Sequence, residues 1–338
     1  MEKAVKSQIG VSSRLSVAPM MDWTDRHCRY LHRQLSGQAL LYTEMVTSPA
    51  LVRGGALHLL THTGEHPVAL QLGGSDPAEL AEAARIGAEA GYDEINLNVG
   101  CPSDRVQSGA FGAVLMKDPA LVARCVAAMI RAVDVPVTVK CRIGVDDQDP
   151  EQVLPEFLSR IVAAGCTRVT IHARKAWLKG LSPKENRDIP PLDYDLVQRM
   201  KGLFPNLHIS INGGIATLDH ALMLLESGLD GVMIGRAAYH QPGDILGTAD
   251  RRIFGTGDDT TAEDAARAML PYMDAHIADG GRLNQITRHM LGLFAGRPGA
   301  RAWRRTLSME ATKPGATSAL IAEALEAIAV AAKSTEAA

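Results

Sequence analysis

The sequence has 338 residues, of which 46% are hydrophobic and 22% charged, and its formal net charge is −3 at pH 7. This composition is typical of a globular protein with one large domain and a smaller one. No collagen, heptad or low-complexity repeat is present, and no apolar stretch approaches the roughly 18 residues that a membrane span needs.

The cysteines indicate the compartment. Their number, five, is odd, none forms a CxxC pair, and the first residues, MEKAVKSQIG, lack the apolar core of a signal peptide. We therefore expect reduced thiols, no bound metal and a cytoplasmic protein.

Eight short runs of β-branched and aliphatic residues predict eight strands. They are LSVAPM (15–20), LLYTEM (40–45), VALQLG (68–73), EINLNVG (94–100), VTVKCRIG (137–144), RVTIHAR (168–174), HISINGG (208–214) and GVMIGRA (231–237). Most of the segments between them have a helical period. Eight alternations of strand and helix predict an α/β fold with a parallel (β/α)₈ TIM barrel. An open doubly wound sheet has the same alternation, but the count of eight favours closure.

Local signals support helices between the predicted strands. Three segments begin with Asp-Pro, at Asp76, Asp118 and Asp149, where Asp can cap free amides and Pro suits the first helical position. Two of these helices end near a glycine, Gly91 or Gly165.

The chain divides into two predicted domains. The barrel occupies residues 1–250 and a C-terminal all-helical domain occupies 251–338, with a link at about 251–262. The alanine-rich segment 314–333 predicts an amphipathic helix that closes the second domain.

The carboxyl ends of the predicted strands are unusually polar. The residues at these ends are Pro19, Met20, Met21, Asp22, Glu44, Gln71, Asn96, Asn98, Lys140, Arg142, His172, Arg174, Asn212, Gly213, Gly214, Gly235 and Arg236. Any one of them could be a hydrogen-bonded core residue. Because functional groups of TIM barrels gather at the carboxyl ends of the strands, their convergence on one rim indicates a binding site.

The last two strands predict a phosphate site. INGGI (211–215) and MIGRA (233–237) place glycines where the backbone can approach an anion, and Arg236 adds a charged group. Either glycine motif alone is weak evidence, because tight turns also need glycine.

Lys140 lies between Val139 and Cys141 on a predicted strand, so its side chain points to the opposite face from theirs. An inward-facing lysine could form a Schiff base, pair with a carboxylate, or contact an electron-rich cofactor ring. His172 on the next strand could be a core histidine. Two basic residues on adjacent strands suggest instead that negative charge develops between them.

The segment 280–309 contains no acidic residue. It contains six arginines: Arg282, Arg288, Arg297, Arg301, Arg304 and Arg305. Without these six charges the net charge of −3 would be −9. Such asymmetry is typical of a face that binds the phosphates of a nucleic acid. The alternative is a solvated helix face, which usually mixes signs through pairs four residues apart.

The combined motifs resemble the tRNA-dihydrouridine synthases over roughly residues 15–310. The resemblance is carried by VAPMMDWTD (17–25), LYTEM (41–45), VALQLGGSDP (68–77), EINLNVGCPSDRV (94–106), VKCRIG (139–144), IHAR (171–174), INGGI (211–215) and IGRA (234–237). The stretch IHARKAWLKGLSPKENRDIPPLDY (171–194) is similar to the A-type bacterial subfamily, which acts on positions 20 and 20a of the tRNA D-loop.

The resemblance implies an FMN-binding TIM barrel with a C-terminal helical tRNA-binding domain, which uses NADPH to reduce uridine to 5,6-dihydrouridine. Pro19, Met20 and Met21 would lie along the flavin. Its ring edge would be bonded by Gln71, Lys140 and His172. Its phosphate would be held by Asn212, Gly213, Gly214, Gly235 and Arg236. The tRNA would be contacted by Asn98, Lys184, Arg187, Arg301 and Arg304. We expect a monomer.

Cys101, in NxNxGCP, is the expected proton donor. Reduction of the C5–C6 bond of uracil requires a hydride at C6 and a proton at C5, and an ordinary cysteine is almost entirely protonated at pH 7. Two other interpretations are a buried, inert cysteine and a covalent nucleophile activated by His172. Asn98 could contact the flavin or the uracil, or it could only shape the turn after its strand.

Three other functions would use part of the same pattern. A flavin barrel that acts on a free pyrimidine, such as a dihydroorotate dehydrogenase, would share the chemistry but not need the arginine segment. An aldolase would use Lys140 as a Schiff base and bind no flavin. A non-catalytic RNA-binding protein would need the arginines but not Cys101.

Overall fold

The computed structural model describes residues 10–103 and 111–336, and the side chains of residues 10–103 and 111–333. The chain forms two compact units. The first consists of the described parts of Met1–Met21, Leu40–Ile215 and Asp219–Gly235, and the second of those of Asp22–Ala39, Ala216–Leu218 and Arg236–Ala338. The predicted boundary between a catalytic and a tRNA-binding domain at residue 250 stays a prediction, because the two compact units are defined by packing and not by function. Of the motif 94–106, residues 104–106 lie outside the described range.

Eight parallel strands form the first unit. They are β1 (Leu15–Val17), β2 (Leu41–Thr47), β3 (Val68–Gly73), β4 (Glu94–Val99), β5 (Val137–Arg142), β6 (Arg168–His172), β7 (His208–Asn212) and β8 (Gly231–Ile234). Each strand pairs with the next along the chain from β2 to β8, and β1 pairs with β8. A parallel bridge between Ser16 and Leu40 brings β1 beside the start of β2. The predicted TIM barrel is confirmed.

Helices alternate with the strands as the sequence pattern predicted. They are Arg26–Leu35, Ser48–Val52, Pro77–Glu89, Pro119–Ala132, Pro150–Ala163, Tyr194–Leu203 and Leu218–Glu226, with short 3₁₀ turns at Leu57–Leu60, Gly112–Lys117 and Glu185–Arg187. Asp76, Asp118 and Asp149 each accept a hydrogen bond from a backbone N–H of the following first turn. The expected Asp-Pro caps are therefore confirmed.

Six of the eight strands, all except β2 and β3, end before the sequence runs that predicted them. β1 ends at Val17 and β6 at His172, so the motif residues that follow lie in loops above the barrel. This difference is useful to a binding site, because loop backbone at a strand end still has free hydrogen-bonding groups.

A buried ion pair lies inside the barrel near the start of the strands. Glu94, the first residue of β4, is fully buried and pairs with Arg168, the first residue of β6. Tyr42 donates a hydrogen bond of 2.7 Å to the Glu94 carboxylate, and Thr138 donates another. The buried charge is thus surrounded by donors, as a buried carboxylate requires.

The second unit is helical. Besides Arg26–Leu35 it contains the helices Arg236–His240, Pro242–Leu246, Ala249–Phe254, Ala262–Ala268, Leu270–Ala278, Leu283–Thr287, Ala300–Arg305 and Ala319–Glu336, with a π-helical turn at Thr306–Glu310. Its largest buried side chain is Trp303, whose indole N–H donates to the carbonyl of Met290 at 2.8 Å and whose ring meets Phe294 edge to face. Across the described range, every helix is too short or too polar to cross a membrane.

We expect Arg168→Met to destabilise the protein by about 3–5 kcal/mol, because it leaves the Glu94 carboxylate buried without its cation. Urea unfolding followed by circular dichroism measures this destabilisation. Arg85→Met is the matched control, since Arg85 pairs with Glu82 and Glu89 on an exposed helix face. An equal effect in both variants would contradict the prediction.

Candidate active site at the barrel mouth

The strand register brings the predicted polar residues to one rim. Asn98 of β4 is level with Lys140 of β5, Arg142 is level with His172 of β6, and His172 is level with Asn212 of β7. Because the strands are parallel and the barrel closes, the carboxyl ends of β3 to β7 lie around one opening. The expected convergence of these side chains is therefore present.

A ladder of side-chain amides crosses the barrel interior below that opening. Asn98 Nδ2 donates to Gln71 Oε1 at 2.8 Å, and Gln71 Nε2 donates to Asn96 Oδ1 at 2.9 Å. Asn96 Nδ2 in turn donates to Thr138 Oγ1 at 2.8 Å. All four side chains are buried. Gln71 and Asn98, both expected to contact ligand, are thus held in place by neighbouring strands and keep one amide hydrogen each for a further partner.

Asn98 also fixes the backbone that carries Cys101. Its Oδ1 accepts hydrogen bonds from the backbone N–H groups of Gly100 and Cys101, both at 3.0 Å. The carbonyl of Cys101 accepts from the N–H of Ala113 at 2.9 Å. Asn98 therefore shapes the turn after β4, which was one of its two predicted roles.

Cys101 differs from the other cysteines in exposure. All five are free thiols in the structure, and Cys101 is partly exposed. The buried ones are Cys28, Cys125, Cys141 and Cys166. Cys101 is therefore not buried, and its role as proton donor stays a prediction.

Basic groups gather on strands β5 and β6. Lys140 Nζ donates to Asn212 Oδ1 at 3.1 Å, and Asn212 Nδ2 donates to the carbonyl of Met233 at 2.8 Å. Burial, reinforced by the nearby charge of Arg142, lowers the pKa of Lys140 to about 8. Burial, reinforced by Arg142 and Lys140, holds the pKa of His172 well below its usual value, so His172 is neutral at pH 7.

Lys140 has an amide oxygen rather than a carboxylate as its partner. Among the residues that the structure describes, no ion pair involves Lys140, so the structural ion pair considered from the sequence is absent there. A buried ammonium beside a neutral imidazole and a second cation is favoured by an anionic ligand. The donor set at this rim therefore suits an electron-rich or negatively charged ring edge.

The glycines after β7 are required by their surroundings. Gly213 and Gly214 have φ angles of 116° and 69°, which L-residues rarely adopt. A Cβ at Gly213 would lie 2.5 Å from the Cδ2 atom of His172. The backbone of Gly214 is exposed at the rim. Gly213 thus allows close packing against His172, and Gly214 leaves backbone accessible to an anion.

The predicted site residues that follow β1 and β8 at the mouth are at least partly exposed. Pro19 and Met20 are partly exposed, and Met21 is 55% exposed. A Cβ at Gly235 would lie 3.5 Å from the sulfur of Met20, so the two loops are neighbours. Arg236 is exposed, begins the helix that follows β8, and belongs to the second unit.

Two buried polar residues at the mouth had no role in the predicted site, although Arg142 was among the strand-end residues. Arg142 donates to the carbonyls of Gly100 at 3.0 Å, and of Lys175 and Asn186, both at 2.9 Å. Asn186 is fully buried and bonds the backbone of Trp177 through both ends of its amide. The VKCRIG motif contains Arg142, but nothing local identifies carbonyls so distant in sequence as its partners.

The predicted tRNA contacts are exposed in both units. Lys184 and Arg187 flank a 3₁₀ turn in the long loop after β6, in the first unit. Arg301 and Arg304 lie on the helix Ala300–Arg305 of the second unit, and within the described chain neither forms an ion pair. Their exposure is what contact with a large polyanion requires.

Part of the arginine segment pairs with acids outside it. Arg288 pairs with Asp25, and Arg297 pairs with Glu263. The segment could not neutralise itself internally, but two of its charges are compensated by the rest of the second unit. The predicted phosphate-binding face therefore contains fewer uncompensated arginines than the six that the sequence suggested.

A polar cavity of about 370 Å³ lies in the second unit. It is lined by Asp25, His27, Asn284, Gln285 and Arg288. Asp25 caps the helix Arg26–Leu35 and lies 3.0 Å from His289 Nε2. Burial opposes ionisation of Asp25, but hydrogen bonds and the charges of His289 and Arg288 hold its pKa well below its usual value. The sequence offered no signal for this cluster.

The lowered pKa of Lys140 predicts how the stability of the protein depends on pH. Because its pKa falls to about 8 on folding, the unfolded chain binds one more proton than the folded protein between about pH 8 and pH 10. The cost of burying the ammonium is present below this window and is relieved as the pH rises through it.

We therefore expect the free energy of unfolding of the ligand-free wild type, minus that of Lys140→Met, to be constant below about pH 7 and to rise between about pH 8 and pH 10. Urea unfolding at several pH values measures this difference. A difference that stays flat or falls with pH would show that folding does not lower the pKa of Lys140.

Comparisons with known proteins agree with the geometry of the mouth. The family model described as "Dihydrouridine synthase (Dus)" matches residues 16–333. The chain is 57% identical over 317 residues to the tRNA-dihydrouridine(20/20a) synthase of Shewanella oneidensis, covering 92% of this chain and 94% of that one. The proteins of the same name from Vibrio cholerae and Escherichia coli K12 are 56% and 57% identical, covering 94% and 96% of this chain and 97% and 94% of theirs.

Among solved structures, morphinone reductase aligns with a TM-score of 0.48 and 14% identity, covering 73% of this chain and 87% of that chain. The family model covers nearly the whole sequence, and the three relatives share more than half of their aligned residues with it. This chain belongs to the dihydrouridine synthase family.

Proposed function

We propose that this protein reduces uridines at positions 20 and 20a of the tRNA D-loop to 5,6-dihydrouridine, with FMN as bound cofactor and NADPH as reductant. The observation that carries the proposal is the position of Cys101. It is the partly exposed cysteine, Asn98 holds its backbone, and Asn98 is level with the buried Lys140 on the next strand. A proton donor and a cation thus lie on adjacent strand ends of a barrel from the dihydrouridine synthase family.

The residues of the mouth fit a flavin mononucleotide. Lys140 offers a cation, and Gln71 and His172 offer polar groups for a ring edge. Gly214 and Gly235 present accessible backbone at the ends of β7 and β8 for a phosphate. That phosphate set is completed by Asn212, Gly213 and Arg236. The apolar surface of the ring is matched by Pro19, Met20 and Met21, which are at least partly exposed.

A bound flavin, reduced by NADPH, would supply the hydride for C6 of uracil. The protein's own task is the proton at C5. The thiol of Cys101 gives that proton as the C6 hydride is accepted, and solvent returns a proton to the sulfur. The sum consumes NADPH, a proton and uridine, and it yields NADP⁺ and dihydrouridine.

Lys140 and His172 serve different roles in this scheme. His172 is neutral at pH 7 and donates or accepts hydrogen bonds without competing for the proton. Lys140 stabilises negative charge at the ring edge, and an anionic partner would favour its protonated form. Because burial and the nearby cations hold the pKa of His172 well below its usual value, His172 is a weak base, which disfavours it as the activator of a nucleophilic Cys101.

The tRNA substrate explains the exposed cations. Lys184, Arg187, Arg301 and Arg304 would contact the phosphate backbone, while the second amide hydrogen of Asn98 would contact the uracil edge. The target base must leave its stack to reach the barrel mouth. We also propose that the protein acts as a monomer in the cytoplasm, where tRNA is modified.

A flavin barrel that reduces a free pyrimidine is the alternative. It shares the hydride and proton chemistry, but it gives no role to Arg301 and Arg304, which are exposed and form no ion pair within the described residues. The names of the relatives also specify a tRNA substrate for those proteins. We therefore prefer tRNA over a small-molecule substrate.

We expect Cys101→Ala to keep FMN and tRNA binding while dihydrouridine formation falls by about 10²–10⁴, because only the proton donor is removed. Flavin absorbance, filter binding and single-turnover conversion of tRNA measure these properties. Cys166→Ala is the matched control, since Cys166 is buried and its Sγ contacts the carbonyls of Val137 and Arg168, the first residues of β5 and β6, at the end of the barrel opposite the mouth. Full activity of Cys101→Ala would exclude Cys101 as the donor.

We expect Arg301→Gln with Arg304→Gln to weaken tRNA binding and to reduce the salt slope of log Kd by about 1 for each phosphate that an arginine no longer neutralises. Flavin reduction by NADPH should be unchanged. Arg297→Gln is the control within the same segment, because Arg297 already pairs with Glu263. An unchanged salt slope in the double variant would show that these two arginines do not bind RNA.

A further inference from the structure

Arg142 is a buried cation whose partners are main-chain carbonyls. It is 3% exposed, and its guanidinium donates to the carbonyls of Gly100, Lys175 and Asn186 at 3.0, 2.9 and 2.9 Å. Within the described residues no carboxylate pairs with it. Burial lowers its pKa to about 10. Burying an arginine without a counter-ion is costly, so a packing role alone would be served better by an apolar side chain.

The first carbonyl belongs to the loop that carries the thiol. Gly100 precedes Cys101 directly, and Asn98 bonds the N–H groups of both residues. Asn98 therefore holds the turn through these backbone N–H groups, and Arg142 holds it through the Gly100 oxygen. The peptide unit before Cys101 is fixed from both sides.

The other two carbonyls belong to the long loop after β6. Lys175 and Asn186 lie near the two ends of its segment 175–187, which contains the exposed residues Lys184 and Arg187. Asn186 Nδ2 donates to the carbonyls of Trp177 at 2.8 Å and Leu181 at 3.1 Å, and its Oδ1 accepts from the N–H of Trp177 at 2.7 Å. The segment is thus one cross-bonded unit anchored on Arg142.

This segment has the surface of a nucleic-acid contact. Trp177 is 36% exposed, and Lys175 Nζ lies 5.3 Å from the centroid of its ring. The exposed cations Lys179, Lys184 and Arg187 lie within the same stretch of the chain. An exposed indole among cations suits stacking against a base and pairing with phosphates.

We propose that Arg142 is a positioning residue that couples the RNA-facing segment 175–187 to the backbone of Cys101. RNA bound on the segment is thereby held in fixed geometry to the thiol. The guanidinium is suited to this task because its planar fork carries several donors at fixed angles, whereas a lysine ammonium is a point charge on a flexible stem. The inference rests on the proposed role of Cys101 and deepens it.

The test compares Arg142→Met and Arg142→Lys with the wild type in the FMN-loaded protein. Stopped-flow absorbance measures flavin reduction by NADPH and, separately, flavin reoxidation by saturating tRNA. We expect reduction to stay within about 2-fold, and reoxidation to fall by about 10²-fold, because misplacement by about 1 Å has that effect on a reacting group. Arg142→Lys should recover only a small part of the rate. Arg168→Lys is the control for disturbing a buried barrel arginine, because Arg168 is the first residue of β6 and pairs with Glu94, the first residue of β4, at the opposite end of the strands.

A second readout does not depend on activity. N-ethylmaleimide should alkylate Cys101 selectively, since the other four cysteines are buried. We expect alkylation of RNA-free Arg142→Met to be several-fold faster than that of the wild type, and alkylation of Arg168→Lys to be unchanged. If Arg142→Met does not fold, Arg142→Gln takes its place in both measurements.

The two readouts separate the two proposals. Unchanged alkylation, or reduction and reoxidation that slow equally, would overturn the positioning role of Arg142. Faster alkylation with a normal reoxidation rate would also overturn the coupling to RNA. If Cys101→Ala proved fully active while Arg142→Met still exposed the thiol, Arg142 would position the loop but the proposed proton donor would be wrong.

Discussion

Closure of the parallel barrel is the constraint on which the site depends. Because the strands run in one direction and β1 lies against both β8 and the start of β2, every carboxyl end faces the same opening. Residues distant in sequence, such as Asn98, Lys140 and Asn212, become neighbours through strand register alone. The chain can therefore place cations, amides and a thiol around one ligand without long-range folding of the loops themselves. The sequences of the loops after the strands then determine how exposed these side chains are.

Charge is distributed unequally along the barrel axis. Near the start of the strands, Glu94 and Arg168 neutralise each other in a buried pair with added donors. At the opposite end, Lys140 and Arg142 have amide or carbonyl partners only within the described chain. Between these two ends, an amide ladder that includes Gln71 provides the buried polar groups of the interior with hydrogen-bond partners. The positive charge of the barrel interior therefore lacks a carboxylate partner at the mouth only, among the residues described. This end of the barrel favours an anionic ligand.

The sequence predicted the fold well because its signals are local. Asp-Pro caps, β-branched runs and glycines at helix ends each reflect interactions within a few residues, and the structure has them in the expected places. The candidate site was predicted in outline, since strand-end residues must converge in a barrel. Arg142 was placed on the rim, but its partners could not be predicted, because the arginine bonds carbonyls 42, 33 and 44 residues away. Asn186 was missed because an asparagine in a long loop has no local signal of burial. Likewise, the compensation of Arg288 and Arg297 by distant acids could not be inferred from an acid-free segment.

The bonds around Cys101 show how such long-range contacts serve chemistry. A thiol that delivers a proton to a carbon must approach it within hydrogen-bond distance, and a flexible loop would spend most of its time elsewhere. Asn98 restrains the turn from the barrel interior, and Arg142 restrains it from the side of the loop after β6. Both contacts are made to the backbone and neither is made to the sulfur. The same two residues connect the thiol to the amide ladder below and to the basic segment 175–187 beside it. Under the proposed mechanism, one hydrogen-bond network in the barrel unit would hold both the thiol and the segment that faces the RNA.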